Sequence, residues 1–269
     1  MKGKNWRDYA PEKARRAGGQ RKKHRRRRRG SLLGRLMLLV LLFAIGYGGF
    51  LLYYTHSKPY TVALDAGHGG EDVGAEDILQ EVVLTERTTA ALHDLLIEDG
   101  RFRVVLSREA GEGKSITARN QLFQKKKPDI VLSIHGNAGE DSSANGFECY
   151  PSPPGYANHE SSMQFAELLA EEMQTIGARL RGSGIPGVRF GYYNESGEKI
   201  LVDASDTEVY PYDTFGMLKN MTCPAVLVEQ GFVTNAADME QFGTEEGCER
   251  SAAAYYRAIC RYLEGLETK

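Results

Sequence analysis

The sequence predicts an α/β fold: a single domain with a mostly parallel, twisted sheet flanked by helices, preceded by one N-terminal transmembrane helix. Three observations support this prediction. Three short apolar runs are rich in β-branched residues, helical patterns alternate with the strands, and one stretch near the N-terminus carries no charge. Continuous apolar runs are typical of strands that are buried on both faces, as in parallel sheets. The alternation of strand and helix favours βαβ units.

The N-terminal segment has a composition of its own. Residues 1–35 hold 15 Lys or Arg residues against Asp8 and Glu12, a local charge of +13, and because the whole chain carries −2 the remainder carries −15. Residues 36–54 follow with no charge. A helix over this span is about 28 Å long at about 1.5 Å per residue, close to the thickness of a bilayer core. The pattern predicts a transmembrane anchor.

Four segments therefore make up the predicted chain. They are a basic cytoplasmic tail (1–35), a transmembrane anchor (36–54), a juxtamembrane linker (55–59) and a catalytic domain (60–269). The positive-inside rule predicts a single-pass cell-membrane protein whose N-terminus is cytoplasmic and whose catalytic domain is extracytoplasmic. A cleaved signal peptide is the alternative, but the apolar stretch is long for one and no small-x-small cleavage site follows it.

The basic run could also indicate nucleic-acid binding. Beside a membrane span it is more simply an orientation signal and a contact for anionic lipids, so we predict no nucleic-acid partner. The charge of −15 beyond the tail predicts that tethering, rather than electrostatic attraction to an anionic surface, localises the domain.

The elements of the domain follow from its apolar periodicity. In chain order, the pattern predicts strands at 60–64, 103–107, 130–134, 146–150 and 225–228, and helices at 81–98, 115–127, 159–180 and 238–266, the last interrupted near Gly247. Gly100 and Pro128 end the first two helices. Residues 182–213 are irregular and rich in Gly, Tyr and acidic residues, which predicts a functional flap, an insertion or a hairpin. The four cysteines permit one or two disulfides, with no connectivity readable.

Polar side chains follow three of the apolar runs where each strand ends. These are His68, His135 and Glu229. Ligands of open parallel sheets bind beyond the carboxyl ends of the strands, so the three side chains are expected at one edge. Two histidines and a glutamate with an open position form a typical catalytic zinc site, and a second glutamate is needed to transfer protons. The sequence thus predicts metal-dependent hydrolysis.

Three ordered motifs carry a family resemblance. They are DAGHGG at 65–70, SIHGNA at 133–138 and VEQGFVTN at 228–235. Over residues 60–265 the chain resembles the zinc-dependent N-acetylmuramoyl-L-alanine amidases of the Amidase_3 family, which are bacterial cell-wall hydrolases. The resemblance implies one Zn²⁺ per chain, held by His68, Glu81 and His135, with Glu229 as the catalytic acid and base. It also implies peptidoglycan as substrate, cut between the lactyl group of N-acetylmuramic acid and L-alanine of the stem peptide.

Some assignments stay open. The region 79–86 departs from the family pattern around the zinc-binding glutamate, so both Glu81 and Glu86 are candidates for this ligand. Counting back along the sequence from the strand before Arg108 favours Glu81, and Glu86 is the alternative. Asn137 and Arg119 are candidate substrate-binding residues, although a structural salt bridge is the other interpretation of Arg119. Four tyrosines of the irregular segment either stack on substrate or pack internally: Tyr192, Tyr193, Tyr210 and Tyr212.

Two other functions remain alternatives. One is a catalytically silent wall-binding regulator with the same fold, which retention of His68, His135 and Glu229 disfavours. The other is a zinc peptidase that cuts within the stem peptide. An activator, or a partner in division or sporulation, cannot be read from the sequence.

Overall fold

The computed structural model describes residues 32–56 and 60–267 of the 269-residue chain. Most of the predicted basic tail and of the predicted linker lies outside these residues. The chain divides into two compact units, Met1–Thr55 and His56–Lys269. The described part of the first unit is helix α1 (Leu32–His56), except for its last residue, with which the second unit begins. No helix within the described ranges combines the length and apolar character that a membrane span requires. The predicted span includes positions 50–54, whose side chains are not among those described.

The second unit alternates strands and helices, as predicted. Its elements are β1 (Tyr60–Ala66), α2 (Glu81–Asp99), β2 (Phe102–Leu106), α3 (Ile116–Lys126), β3 (Ile130–Asn137), β4 (Glu148–Pro151), α4 (His159–Thr175), β5 (Arg189–Tyr193), β6 (Lys199–Asp203), β7 (Asp213–Thr214), β8 (Ala225–Phe232), α5 (Ala236–Asp238) and α6 (Glu245–Glu267). A π-helical turn, Met239–Gly243, connects the last two helices.

The main sheet has five strands in the order β2-β1-β3-β8-β4. The first three pairings are parallel, and β4 runs antiparallel to β8 at one edge. The α/β fold and the mostly parallel sheet are thereby confirmed. The three apolar runs become β1, β3 and β8 in the middle of the sheet, where residues buried on both faces are required.

Helices cover both faces of this sheet. Along each strand, side chains alternate between two apolar clusters: Val62 and Leu64 pack in one cluster, and Ala63 packs in the other. The first cluster contains the inward residues of α2, α4 and α6, and the second contains Phe123 of α3. The strands are therefore held between two layers of helices, and their parallel pairing places the carboxyl ends of β1, β3 and β8 at one edge of the sheet.

One helix ends earlier than predicted, and the closing helix is interrupted close to the predicted position. Helix α4 stops at Thr175 instead of 180, because Gly177 adopts a left-handed φ of 91° that turns the chain away from the helix. The predicted closing helix at 238–266 divides into α5, the π-helical turn and α6, and Asn235 caps the start of α5 through its side chain. The break precedes Gly247 by a few residues.

The irregular segment 182–213 contains an antiparallel hairpin of β5 and β6, and β7 adds to β5 as a third strand. Tyr193 and Lys199 are opposite each other in this hairpin, so their side chains share a face.

All four cysteines are free thiols, and Cys149 and Cys248 are buried. The four cysteines thus form no disulfide, although the sequence permitted one or two.

Candidate metal centre and active site

Three parallel strands bring the predicted site residues to one edge of the sheet. His68 follows the end of β1, and His135 lies near the carboxyl end of β3. Glu229 of β8 pairs directly with His135. Glu81 is the first residue of α2, which begins beside the same edge. This is the edge where open α/β sheets bind their ligands.

His68, Glu81 and His135 form a compact cluster of metal-binding side chains. Glu81 Oε1 lies 3.0 Å from His68 Nε2 and 2.9 Å from His135 Nδ1. One potential ligand atom from each residue lies within 4.8 Å of the others. Two imidazole nitrogens and a carboxylate are the donor set of catalytic zinc, and such a set leaves a fourth position for water or substrate. The residues therefore fit a zinc ion.

Backbone conformation makes room for this cluster. A Cβ atom added to Gly67 would lie 2.5 Å from Cε1 of His135, so a larger residue at position 67 would displace that ring. Residue 68 itself adopts a left-handed φ of 62°, which is uncommon for a non-glycine residue. Asp72 Oδ1 lies 2.9 Å from Nδ1 of His68 and orients the ring so that Nε2 faces Glu81.

The charges in the cluster stabilise one another. Burial raises the pKa of the Glu81 carboxyl, but hydrogen bonds with His135 and His68 outweigh burial and hold that pKa well below its usual range. Burial lowers the pKa of His68, yet Glu81 and Asp72 outweigh it and raise that pKa. Glu81 also accepts hydrogen bonds from the backbone N–H groups of Ala75 and Gly136, each at 3.1 Å. The carboxylate is therefore fixed in position while ionised.

Glu229 lies in a different electrostatic environment. Its side chain is 7% exposed, and its Oε2 atom has no hydrogen-bond partner among the described residues. Burial raises the pKa of Glu229 to about 7, although the charges of His135 and Lys199 act in the opposite direction. A buried carboxyl group with a pKa near neutrality is suited to both accepting and donating a proton.

A cavity of about 440 Å³ joins Glu229 to the histidine cluster. Its lining comprises His68, Asp72, Ala75, Glu81, Ile116, Arg119, His135, Gly136, Asn137, Ala138, Tyr193, Lys199, Phe215, Gly216, Met217, Leu227 and Glu229. All six predicted site residues contribute to this lining. A substrate in this cavity would contact the cluster and the unpartnered carboxyl group together.

Glu86, the alternative metal ligand, has other partners. Its Oε1 atom accepts hydrogen bonds from Arg108 Nη1 at 2.6 Å and from the backbone N–H of Gly111 at 2.8 Å. Arg108 is almost fully buried, so Glu86 serves as its counterion. Glu81, not Glu86, belongs to the cluster that could hold a metal.

Arg119 and Asn137 line the cavity but are engaged with the protein. Arg119 Nη1 donates to Asp65 Oδ1 at 2.7 Å, and the two residues are 4% and 0% exposed. Asp65 also accepts a hydrogen bond from Ser133 Oγ at 2.6 Å. Asn137 Nδ2 donates to Glu148 Oε1 at 2.6 Å. The structural salt bridge, one of the two interpretations of Arg119, is present, and substrate binding by either residue stays a prediction.

Two charged residues near the site were not identified from the sequence. Glu148 is buried in β4, and Lys199 extends from β6 into the cavity. Neither belongs to a recognisable motif, and only the register of β4 with β8 and of β5 with β6 places them here. Of the four tyrosines, Tyr193 lines the cavity. The other three pack against one another with ring centroids 5.3 to 6.4 Å apart.

Comparison with known proteins identifies the family of the chain. The Amidase_3 family profile, described as N-acetylmuramoyl-L-alanine amidase, matches residues 62–261, and the chain belongs to this family. An uncharacterized cell wall amidase of Bacillus anthracis is 30% identical over 213 residues, which cover 76% of this chain and 35% of that protein. The N-acetylmuramoyl-L-alanine amidase CwlM of Bacillus licheniformis is 28% identical over 202 residues, covering 74% of this chain and 67% of CwlM.

Solved structures share the fold. The CwlD amidase from Clostridioides difficile, in complex with the GerS lipoprotein, is 25% identical with a TM-score of 0.60, and the match covers 76% of this chain and 98% of CwlD. The catalytic domain of the amidase CwlV from Bacillus (Paenibacillus) polymyxa is 24% identical with a TM-score of 0.61, over 76% of this chain and 98% of that domain. The residues matched by the family profile, 62–261, lie within the second unit of the chain.

Proposed function

We propose that this chain is a membrane-anchored, zinc-dependent N-acetylmuramoyl-L-alanine amidase. It would hydrolyse the amide between the lactyl group of N-acetylmuramic acid and L-alanine of the peptidoglycan stem peptide. The observation that carries the proposal is that the unpartnered Oε2 atom of Glu229 and the His68, Glu81 and His135 cluster line one cavity. Membership of the Amidase_3 family supports the choice of bond.

The three clustered residues have the role of holding the metal. His68, Glu81 and His135 would bind one zinc ion, and the chemistry that such an ion supplies is Lewis-acid polarisation of the scissile carbonyl. Asp72 and Glu81 orient the rings, and the backbone N–H groups on Glu81 hold its carboxylate in place. These contacts preorganise the ligands before substrate arrives.

Glu229 has the role of moving protons. With a pKa of about 7, its carboxyl group is present in both protonation states near neutral pH. Its Oε2 atom accepts the proton of the attacking water and then donates it to the amide nitrogen of L-alanine, which leaves as the free amine. Since no hydrogen bond from the described residues competes for this atom, it is available for both transfers.

Membrane anchoring is supported by the sequence. The charge-free span 36–54 follows directly on a segment with a charge of +13, which favours a retained anchor with the catalytic unit outside the cell. In cells producing the full-length chain, we expect the protein in the membrane fraction after carbonate washing and its C-terminal unit digested by external protease. Recovery in the soluble fraction would contradict this part of the proposal.

Mass spectrometry of digested peptidoglycan tests the reaction. Purified full-length chain is incubated with peptidoglycan, with zinc or with a chelator, alongside Glu229→Gln and the exposed control Glu240→Gln. We expect zinc-dependent release of peptides that begin with free L-alanine, from wild type and control but not from Glu229→Gln. Cuts within the stem peptide would indicate a peptidase, and binding without products would indicate a silent regulator; either result overturns the proposal.

A further inference from the structure

Lys199 places an exposed ammonium group at the cavity, where its charge also acts on Glu229. Its Nζ atom lies 5.3 Å from the ring centroid of Tyr150 and 5.1 Å from that of Phe215. Among the described residues it has no carboxylate within ion-pair distance. Aromatic faces attract a cation through their quadrupole but do not neutralise it, so the full positive charge remains available to a ligand.

The position of this ammonium is set by rigid elements. Lys199 is opposite Tyr193 in the β5–β6 hairpin, and Tyr193 contacts Phe215 with ring centroids 5.7 Å apart. Phe215 in turn lies 5.0 Å from Tyr150, a fully buried residue of β4. The Lys199 side chain thus extends over an aromatic floor, formed by the rings of Tyr150 and Phe215, which belong to the packed core. The β5–β6 hairpin directs this side chain into the cavity.

The other charges of the cavity make this cation distinctive. Three carboxylates line the cavity: Asp72, Glu81 and Glu229. Arg119 is neutralised by Asp65 at 2.7 Å, and the histidines are assigned to the metal. Apart from a bound metal ion, Lys199 is therefore the cation of the described cavity lining that no carboxylate neutralises. In contrast, Lys219, which follows β7, is already paired with Asp213 at 2.6 Å.

We propose that Lys199 binds a carboxylate of the peptide on the leaving side of the scissile amide and makes the enzyme prefer stem peptides with free carboxyl groups over amidated ones. This inference rests on the proposed amidase function and adds a specificity to it. A charge-assisted contact discriminates between a carboxylate and a neutral amide, because the ammonium attracts the charged carboxylate more strongly than the amide dipole.

A matched pair of substrates tests the assignment. One is a soluble N-acetylmuramoyl tetrapeptide with all carboxyl groups free, and the other is the same molecule with every carboxyl group converted to an amide. The measured quantity is the ratio of kcat/KM for the free peptide to kcat/KM for the amidated peptide. It is determined for full-length wild type, Lys199→Met, Lys199→Arg and the control Lys219→Met.

We expect wild type to favour the free peptide and Lys199→Met to lower the ratio about tenfold, mainly through KM. Lys199→Arg retains a cation and should keep the ratio within about twofold, as should Lys219→Met. If Lys199 only fastened the hairpin to the aromatic floor, Lys199→Met would affect both peptides equally and the ratio would not move. An unchanged ratio, or equal cleavage of both peptides by wild type, overturns the assignment alone. Absence of cleavage of both peptides by wild type would refute the amidase proposal itself.

Discussion

Glu148 lies directly opposite Glu229 in the antiparallel pairing of β4 and β8, and the two buried glutamates have opposite environments. Glu148 Oε2 accepts hydrogen bonds from Arg181 and Arg189, each at 3.2 Å, and Asn137 donates to its Oε1 atom. Glu229 has no such partner for Oε2. Neighbouring positions of one sheet thus hold a neutralised carboxylate and an uncompensated one, and the second has the raised pKa.

The raised pKa of Glu229 predicts a stability effect. In the unfolded chain this pKa has its ordinary value of 4.5, and in the folded protein it is about 7. Between these values the folded state binds more protons, so the contribution of Glu229 to stability falls as pH rises through this window. Glu229→Gln should therefore stabilise the metal-free protein at pH 8 by up to about 3 kcal/mol, and much less at pH 4.5.

Thermal unfolding of chelator-treated full-length protein measures this difference. Glu240→Gln, at an exposed position, is the control and should unfold with wild type at both pH values. A lower Tm for Glu229→Gln than for wild type at pH 8 would show that the Glu229 carboxylate is stabilised in the fold, contrary to its lack of a partner.

The assignment of Glu81, rather than Glu86, as the metal ligand predicts how much zinc variants at these two positions bind. Glu81→Ala should reduce bound zinc from one ion per chain to almost none, since the carboxylate between the two histidines is lost. Glu86→Ala should keep the zinc, because Glu86 is bound to Arg108 and Gly111. Elemental analysis of both purified variants gives the answer. Loss of zinc from Glu86→Ala with an unchanged fold would reverse the ligand assignment.

The close approach of Gly67 to His135 predicts a steric effect on the metal. In Gly67→Ala the new methyl group would lie 2.5 Å from the imidazole, so the ring must move and ligand geometry is lost. We expect zinc affinity to fall about 10- to 100-fold, as it does when ligand orientation is disturbed. Competition with a chromogenic chelator measures this affinity. Gly265→Ala, which meets no atom within 4 Å, is the control and should bind zinc as wild type does.

The buried pair of Arg119 and Asp65 predicts a large loss of stability. Arg119→Ala leaves the Asp65 carboxylate at 0% exposure without its cation, which costs about 3–5 kcal/mol. Arg250→Ala removes an exposed pair with Glu246 and should change the free energy of unfolding by less than about 1 kcal/mol. Denaturant unfolding compares the two. An Arg119→Ala protein of wild-type stability and raised KM would instead assign Arg119 to substrate binding.

The central sheet could be predicted because its signal is local. The apolar runs of β1, β3 and β8 identify strands that must be buried on both faces, and the residues that follow them share an edge once the strands are parallel. This reasoning brought His68, His135 and Glu229 together, as the structure does. Their chemical roles stay predictions until the variants are measured.

The remaining features depend on contacts between distant segments. Nothing in residues 148–151 indicates that β4 is antiparallel, because its direction is determined by pairing with β8. Lys199 is an ordinary charged residue of a polar segment, and the register of the hairpin alone directs it into the cavity. Helix α4 ends at Thr175 because Gly177 adopts a left-handed conformation, although the apolar pattern of the sequence continues beyond this point.

The strand order also determines when the site can exist. Strand β8 is the last strand in the sequence, yet it lies between β3 and β4, and β4 has no other neighbour in the five-stranded sheet. A growing chain in which residues 225–232 have not yet been synthesised can pair only the three strands before β4. It also lacks Glu229. A chain that stops before residue 229 therefore cannot present this carboxyl group beside His68, Glu81 and His135, and the lining of the cavity is complete only once β8 has paired with β3.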